Sequence, residues 1–294
     1  MRTRDLFDLL LLSVLWGAAY LFTRAAAPAF GPVPLVALRL GMAALLLAPL
    51  LAWRGHFAAL AAHPWPLLML GLPLTAVPFV LITFASLHLT AGMVAMLNAT
   101  APLFAALLGH FVLHERLGAW RTAGLMVGFA GVAALVWGNA SFKTTHGAAA
   151  VAAVLAASAI WGASAHFARR RLAGVDSMAI TVGSLASAGL ALAPAAAWAW
   201  PAHGPSLRAW SEVCFLGIAS SGLGFLLYFR LLRRIGPVRA MSVTFLNPVV
   251  ALISAAAYLG EAITWPMAAA GAVVLIGTAM TLGLIGRRPP GAPA

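Results

Sequence analysis

Charged side chains are scarce in this chain of 294 residues: Asp, Glu, Lys and Arg together make up 8% of it, and only six residues are acidic. Soluble domains carry about 25% charged residues. Hydrophobic residues reach 63%. No soluble core can take up so much apolar surface, because the outside of the protein must still face water. The composition therefore excludes a soluble domain and predicts an all-α polytopic membrane protein surrounded by lipid.

Cysteine is nearly absent too. Cys214 is the single one, which excludes an intrachain disulfide and a cysteine-based metal site. The formal net charge of +12 would indicate nucleic-acid binding in a soluble protein. Here the arginines stand singly or in short clusters between apolar runs, as in cytoplasmic loops of membrane proteins. We expect no nucleic acid, metal, cofactor or catalytic residue.

Ten apolar segments are long enough to cross a bilayer core of ~30 Å, which takes about 20 residues per helix. The first begins like a signal peptide, with Ala25 to Ala27 as a possible cleavage site. A copy of the same segment recurs inside the chain, so we interpret it as the first helix. The predicted spans are 5–25, 32–53, 65–86, 91–112, 119–138, 147–168, 177–200, 207–229, 237–259 and 265–286.

An internal repeat organises these segments. Its matching residues keep an offset of 145 early in the halves and 146 later, which predicts a duplication into halves 1–140 and 141–294. Five helices per half is an odd number, so the halves are expected to be inverted around a central cavity. Residues related by this offset are called equivalent below. They include Ser13, Trp16, Gly17 and Pro49 with Ser158, Trp161, Gly162 and Pro194, and Phe79, Pro102 and Glu115 with Phe225, Pro248 and Glu261.

The distribution of Lys and Arg predicts the orientation. With a cytoplasmic N-terminus, fourteen cations lie inside and three outside, so both termini are predicted to be cytoplasmic. We expect the inner membrane of a bacterium. The inner residues are Arg2, Arg4, Arg54, Arg116, Arg121, Arg169, Arg170, Arg171, Arg230, Arg233, Arg234, Arg239, Arg287 and Arg288, and the outer ones are Arg24, Lys143 and Arg208.

Few ionisable residues lie deep inside the predicted spans: Arg39, His110 and His166, with no carboxylate at depth. Pumps and proton relays usually carry intramembrane carboxylates. A cationic cargo would also lack a counter-charge, so the pattern favours a neutral or zwitterionic cargo. Arg39 can either reach the outer surface or pair with a carboxylate of the cargo.

The first helix places polar and aromatic side chains on one stripe. Trp16 and Tyr20 lie on it, and the equivalent helix presents Trp161 and His166. Such a face is typical of a cavity lining, where rings bind apolar cargo and hydroxyls orient its polar ends. The alternative is packing, with each tryptophan filling a notch beside a glycine.

Helices three and eight offer four further lining candidates, Phe79, Thr83, Ser221 and Tyr228. They also contain helix-weakening residues at similar depth. Proline removes a backbone hydrogen bond, and in lipid the freed carbonyl needs another partner. Prolines are also simply common in membrane helices. The hinge candidates here are Pro78 and Gly224.

Helices four and nine contain an asparagine close to a proline. Asn98 and Asn247 each need a partner in lipid, either across helices or in the cavity. Pro102 and Pro248 are equivalent and are predicted hinges.

These motifs together resemble the drug/metabolite transporter superfamily, most closely its ten-helix branch with two EamA-type repeats. The resemblance rests on the Trp-Gly pairs, on Ala37 to Leu40, and on the segments from Asn98 to Leu117 and from Asn247 to Glu261. It implies a ten-helix basket around a central cavity and a relation to bacterial exporters of aromatic and other neutral amino acids. Ser184 stands where the first half has Arg39, so the arginine has no symmetric counterpart.

The predicted function is export of small neutral metabolites by alternating access, with aromatic and other hydrophobic amino acids first. Transport of a drug, purine or vitamin by the same fold is the alternative. An intramembrane hydrolase is remote, since Ser220, Ser221 and His166 form only a loose motif without an oxyanion arrangement. We expect a monomer whose partners are its cargo and the bilayer.

Overall fold

The computed structural model describes residues 3–114, 117–137, 146–240 and 243–285. All secondary structure in them is helical, which confirms the predicted all-α class. The predicted boundary at 140/141 and the cations Arg2, Arg116, Lys143, Arg287 and Arg288 lie outside these ranges. The helices are α1 Thr3–Phe30, α2 Pro32–Trp53, α3 Phe57–Ala62, α4 Pro64–Gly71, α5 Val77–Ser86, α6 Ala91–Asn98, α7 Ala101–Leu113, α8 Ala119–Trp137, α9 Gly147–Arg171, α10 Ser177–Trp198, α11 Leu207–Cys214, α12 Gly224–Ala240, α13 Val243–Leu259 and α14 Trp265–Thr281.

Among the residues that the structure describes, two π-helical segments join helices into longer rods. Leu72–Ala76 connects α4 to α5, and Phe215–Leu223 connects α11 to α12. Shifting the first segment by 146 residues places it inside the second. Both halves of the chain therefore contain a wider, π-helical stretch of helix at the same position in the repeat.

In the part of the chain that the structure describes, seven helices are long and apolar enough to cross a membrane by length and composition. Three further apolar helices are shorter: Val77–Ser86, Val243–Leu259 and Trp265–Thr281. The seven are Thr3–Phe30, Pro32–Trp53, Ala91–Val112, Ala119–Trp137, Gly147–Ala168, Ser177–Trp198 and Leu207–Gly236.

Side chains that accept hydrogen bonds set the start of several helices. Thr90 accepts from Met93 N at the start of α6, and Asp176 accepts from the backbone at the start of α10. Ser206 and Thr264 begin α11 and α14 in the same way. These caps satisfy backbone donors that the first helical turn leaves free.

The two ends of α1 mark two ends of the bundle, which we call the Asp5 end and the Arg24 end after two residues of α1. At the Arg24 end, Arg24 of α1 contacts Ser86 of α5. At the Asp5 end, Trp120 of α8 donates a hydrogen bond to the carbonyl of Ile285, which follows α14.

Helices pair mainly across the two halves of the sequence. α2 packs on α10, and α8 packs on α14. The contact of α1 with α13 has its equivalent in the contact of α9 with α7, and that of α12 with α1 in that of α5 with α9. The core is therefore shared by both halves, and each pairing recurs at the repeat offset.

Glycines allow the closest of these contacts. A Cβ atom on Gly124 would lie 2.6 Å from Thr281 N, and one on Gly131 would lie 2.7 Å from Val274 N. Gly277 of α14 lies against the backbone of Gly128. Helices approach this closely in membranes because dispersion contacts replace the hydrophobic driving force.

We therefore expect Gly277→Ala to destabilise the protein by about 1–3 kcal/mol, as overpacking commonly does. Thermal unfolding followed by tryptophan fluorescence measures the effect. Gly41→Ala is the matched control, because Gly41 is also helical but has no atom within 4 Å of an added Cβ. Equal melting temperatures for the two variants would contradict the close contact of α8 and α14.

Candidate functional site

Arg39 of α2 belongs to a polar cluster inside the bundle. The residue is only 8% exposed. Its Nε donates to Ser221 Oγ at 2.9 Å, and Nη2 donates to Ser220 Oγ at 3.4 Å. Its guanidinium carbon stands 4.5 Å from the centroid of the Phe79 ring. The side chain thus turns into the bundle rather than to the surface.

This cation has no anionic partner in the part of the chain that the structure describes. The ion pairs found there join other arginines to Asp5, Asp8, Glu212 and Glu261. The partners of Arg39 are neutral hydroxyls and an aromatic face. Removing a charge from water costs several kcal/mol unless an opposite charge offsets it.

The π-helical segment Phe215–Leu223 brings the two serines to Arg39. Gly217 makes this possible, since a Cβ there would lie 2.7 Å from Met42 Cβ and 3.3 Å from Arg39 O. A π-helical turn also displaces backbone groups from their regular partners. The carbonyl of Ser220 accepts a hydrogen bond from Trp16 Nε1 at 3.1 Å.

Two aromatic pairs repeat around this cluster. Trp16 meets Phe225 edge to face, with centroids 5.8 Å apart, and Trp161 meets Phe79 at 5.4 Å in the same geometry. The pairs are equivalent under the repeat. Tyr228 adds a third ring 5.3 Å from Trp16. All five rings are half-buried, so each keeps surface that an apolar molecule could cover.

A second polar chain links α1, α6 and α9. Asn98 Nδ2 donates to the Tyr20 hydroxyl at 2.7 Å, and Ser158 Oγ lies 3.3 Å from Asn98 Oδ1 as a donor. Asn98 is the last residue of α6, directly before a turn that precedes α7. Tyr20 and Trp161 pack against the same hydrophobic cluster, and Trp161 meets Phe79, the ring beside Arg39. The two clusters therefore adjoin.

Two predicted lining residues, Thr83 and His166, make other hydrogen bonds, and a third, Asn247, has an oxygen without a described partner. Thr83 is 2% exposed and donates to Phe79 O at 2.8 Å. One ring nitrogen of His166 lies 2.9 Å from Ala105 O, and His166 lines a separate pocket of about 330 Å³ with Phe167 and Arg170. Asn247 has a buried amide oxygen that accepts no hydrogen bond from the described residues.

The structure gives the hinge candidates different surroundings. Pro78 lies in the first turn of α5, directly after a π-helical segment. Pro102 lies in the first turn of α7, after the break between α6 and α7. Pro248 lies within the continuous helix α13. A Cβ on Gly224 would lie 2.5 Å from Trp16 Nε1, so this glycine accommodates the indole. The hinge role stays a prediction.

Packing and lining are combined at the Trp-Gly pairs. Gly17 lies against α13, where a Cβ would be 2.5 Å from Val250 Cβ, and Gly162 lies against Ala105 N of α7. The neighbouring tryptophans face the site. The Trp16 ring fills a notch beside Gly224, and the sequence pattern did not predict that these two residues meet.

Ionic clusters lie at both ends of α1. At the Arg24 end, Glu261 accepts from Ala91 N at 3.0 Å and lies 3.7 Å from Arg24 Nε. Arg24 also donates to Ser86 O at 2.6 Å. At the Asp5 end, Asp8 lies 3.6 Å from Arg234 of α12. Ion pairs therefore connect both ends of α1 to the second half of the chain. At the Arg24 end, Glu261 also connects this end to the start of α6.

Three carboxylates are buried, although none of the three lies deep inside a predicted span. Asp5, Asp8 and Glu212 are 7%, 4% and 4% exposed. Each lies within the first two turns of its helix and pairs with an arginine, as Glu212 does with Arg208 at 3.2 Å. The helix ends supply these partners, which counting charges along a span does not reveal.

His88 stands beside the ionic cluster at the Arg24 end, in the loop between α5 and α6. Its ring lies 5.0 Å from that of His146. Partial burial, then His146 and Arg24, lower the pKa of His88. These surroundings therefore favour the neutral form of the His88 ring beside Arg24.

Sequence reasoning left Ser220 and Phe225 out of the proposed lining and left open whether Arg39 contacts the cargo. Arg39 carried a usable signal, because it is the only Lys or Arg deep inside a predicted span. Phe225 could be found as the equivalent of Phe79. The role of Ser220 depends on the π-helical turn, which no local pattern announces.

The geometry defines a multi-pass helical membrane protein with a polar and aromatic site between its halves. The chain belongs to the EamA-like transporter family, whose model matches residues 6–137 and again 148–283.

Curated relatives are transporters as well. The chain is 29% identical to the "Uncharacterized inner membrane transporter YedA" of Escherichia coli K12, over 96% of this chain and 94% of that one. It is 29% identical to a "Probable terminal-alkyne amino-acid exporter" of Streptantibioticus cattleyicolor, over 98% and 95%. A protein of known crystal structure shares the fold, with a TM-score of 0.70 and 22% identity over 97% of both chains.

The two asparagines should respond differently to replacement by leucine. Asn98→Leu breaks a hydrogen-bonded chain, so the free energy of unfolding should fall by about 1–3 kcal/mol. The melting temperature and the transport rate should therefore both fall. Asn247→Leu removes an acceptor that has no described partner, so the melting temperature should hold or rise while transport slows. Thermal unfolding and liposome uptake provide the two readouts. A similar loss of stability in both variants would show that Asn247 is bonded structurally.

Proposed function

We propose that the protein exports small neutral or zwitterionic metabolites, with aromatic and other hydrophobic amino acids first, by alternating access. The observation that carries this proposal is the group of half-buried rings around Arg39, a cation without a described counter-ion. Rings supply apolar contact area, while a few polar groups orient a small ligand. The Streptantibioticus relative is named as a probable exporter of an amino acid, which supports amino acids as the class of cargo.

The architecture that we propose has ten spans in two inverted five-helix repeats, 1–140 and 141–294. The three shorter apolar helices complete the seven long ones in this scheme. The recurring helix pairings support it, as do the equivalent aromatic pairs and π-helical segments. Such repeats allow one half to rock against the other around a fixed central site.

Alternating access requires contacts that open at one end while those at the other end stay closed. The pairs Asp8–Arg234 and Arg24–Glu261 are suited to this role, because they join elements of both halves at opposite ends of α1. The side chains of Asp8 and Glu261 are 6% and 15% exposed, whereas those of Arg234 and Arg24 are 37% and 32% exposed. Opening either pair therefore requires water to reach the carboxylate. The π-helical segments and Pro78, Pro102, Gly224 and Pro248 are the proposed points of bending.

Trp161→Ala tests the site directly. In liposomes that contain the purified protein, uptake of radiolabelled phenylalanine should fall about tenfold or more, because the ring beside Phe79 is lost and ~1.4 kcal/mol corresponds to a factor of ten. Trp137→Ala is the matched control, since Trp137 is 89% exposed. Equal uptake by the two variants would contradict the proposed site. Failure of the parent protein to transport any amino acid would redirect the search to drugs, purines and vitamins.

We also propose that both termini face the cytoplasm of a bacterium, following the arginine distribution. In a Cys214→Ser background, Ser206→Cys at the Arg24 end should react with an impermeant thiol reagent added to intact cells. Gly55→Cys, between α2 and α3, should react only after the cells are opened. Labelling of Gly55→Cys from outside would reverse the orientation.

A further inference from the structure

We infer that Arg39 is the carboxylate anchor of the transported molecule, so the cargo is a monocarboxylic acid whose apolar side chain contacts the surrounding rings. The inference rests on the proposed function and narrows it. It rejects amines, amides and uncharged heterocycles as preferred cargo.

The hydrogen-bond inventory of Arg39 carries the first step. A guanidinium has five N–H donors. The described residues accept from two of them, through Ser220 and Ser221, which leaves three donors without a protein acceptor. A carboxylate has two oxygens and suits this donor fork in bidentate geometry.

The charge of Arg39 carries the second step. If this side chain only linked α2 to the π-helical segment, a neutral donor would suffice for two serine hydroxyls. The full positive charge instead lies in an apolar bundle, with no carboxylate of the described residues in contact. An anionic group of the cargo would offset that charge whenever the site is filled.

The neighbours of Arg39 indicate what lies beside the carboxylate. The guanidinium stacks on Phe79, and Phe79 in turn meets Trp161. A molecule bound at Arg39 therefore has an aromatic surface directly next to its acidic group. An amino acid with an aromatic or large aliphatic side chain has this shape.

The two halves are not equivalent at this position. Ser184 of α10 replaces the arginine and donates to Thr181 O of its own helix at 3.0 Å. The site thus has one anchor, which predicts one bound carboxylate per protein and a single orientation of the cargo.

Ligand-induced thermal stabilisation of the purified protein in lipid nanodiscs tests the inference with four related probes. Phenylalanine and 3-phenylpropionate carry the carboxylate, whereas phenylalaninamide and phenethylamine lack it. We expect the first two to stabilise the parent protein at concentrations at least tenfold lower than the last two. Binding of one molecule per protein should follow from a titration by calorimetry.

Arg39→Gln should abolish this preference, because glutamine retains donors for the serines but not the charge. Arg39→Lys should restore part of it. Arg54→Gln, at the exposed end of the same helix, is the control for net charge and should keep the preference. The ratio between phenylalanine and its amide reports on binding in folded protein, so a purely structural role of Arg39 would leave it unchanged.

The outcomes separate the two proposals. Stabilisation of the parent by the amide and amine as strongly as by the acids would overturn the anchor while leaving an aromatic cargo possible. A preference for acids that survives in Arg39→Gln would also overturn it. No response of the parent to any of the four compounds would contradict both the anchor and the proposed aromatic cargo.

Discussion

Polar groups inside this bundle must find partners within it, since the surrounding helices are apolar. Regular helices meet this demand for the backbone. In the π-helical segment Phe215–Leu223, the indole N–H of Trp16 donates a hydrogen bond to the carbonyl of Ser220. Arg39 donates hydrogen bonds to the hydroxyls of Ser220 and Ser221. The positive charge alone stays uncompensated among the described residues. The site, its aromatic shell and the proposed cargo all follow from that remaining charge.

The need for partners also explains where the other charged side chains lie. Four described carboxylates near helix ends pair with arginines, as Asp8 does with Arg234, while Asp176 caps the start of α10. The middle of the bundle is left with the aromatic pairs and the chain from Tyr20 to Asn98 and Ser158. Tight glycine contacts, such as that of Gly277 with Gly128, hold α8 against α14. A tightly packed helix pair together with ion pairs at both ends of α1 suits the proposed motion of one half against the other.

Much of the fold could be predicted from hydrophobicity and from the repeat offset. Lipid imposes a length on each helix, and a duplicated sequence brings Trp161 to Phe79 in the way that Trp16 meets Phe225. The prediction also found Asn98 and Tyr20, although not their mutual hydrogen bond. Thr83 shows the limit, because a hydroxyl on a lining stripe can bond back to its own helix.

The missing parts depend on local departures from regular geometry. The π-helical segments rotate Ser220 and Ser221 to positions that a count of 3.6 residues per turn does not give. The direction of Arg39 depends on those serines, so the sequence left open whether it reached the surface. Close approach at Gly217 and Gly224 depends on the neighbouring helix and could not be predicted from spacing.

Solid-state NMR on the lipid-embedded protein can measure the central contact directly. Dipolar recoupling between a ¹³C-carboxyl-labelled phenylalanine and ¹⁵N-guanidinium-labelled arginine reports their separation. The account predicts a distance of about 4 Å or less, since a charge-assisted N–O contact is ~2.8 Å, and loss of that signal in Arg39→Lys. A bound ligand whose carboxyl carbon shows no coupling to any guanidinium would contradict it.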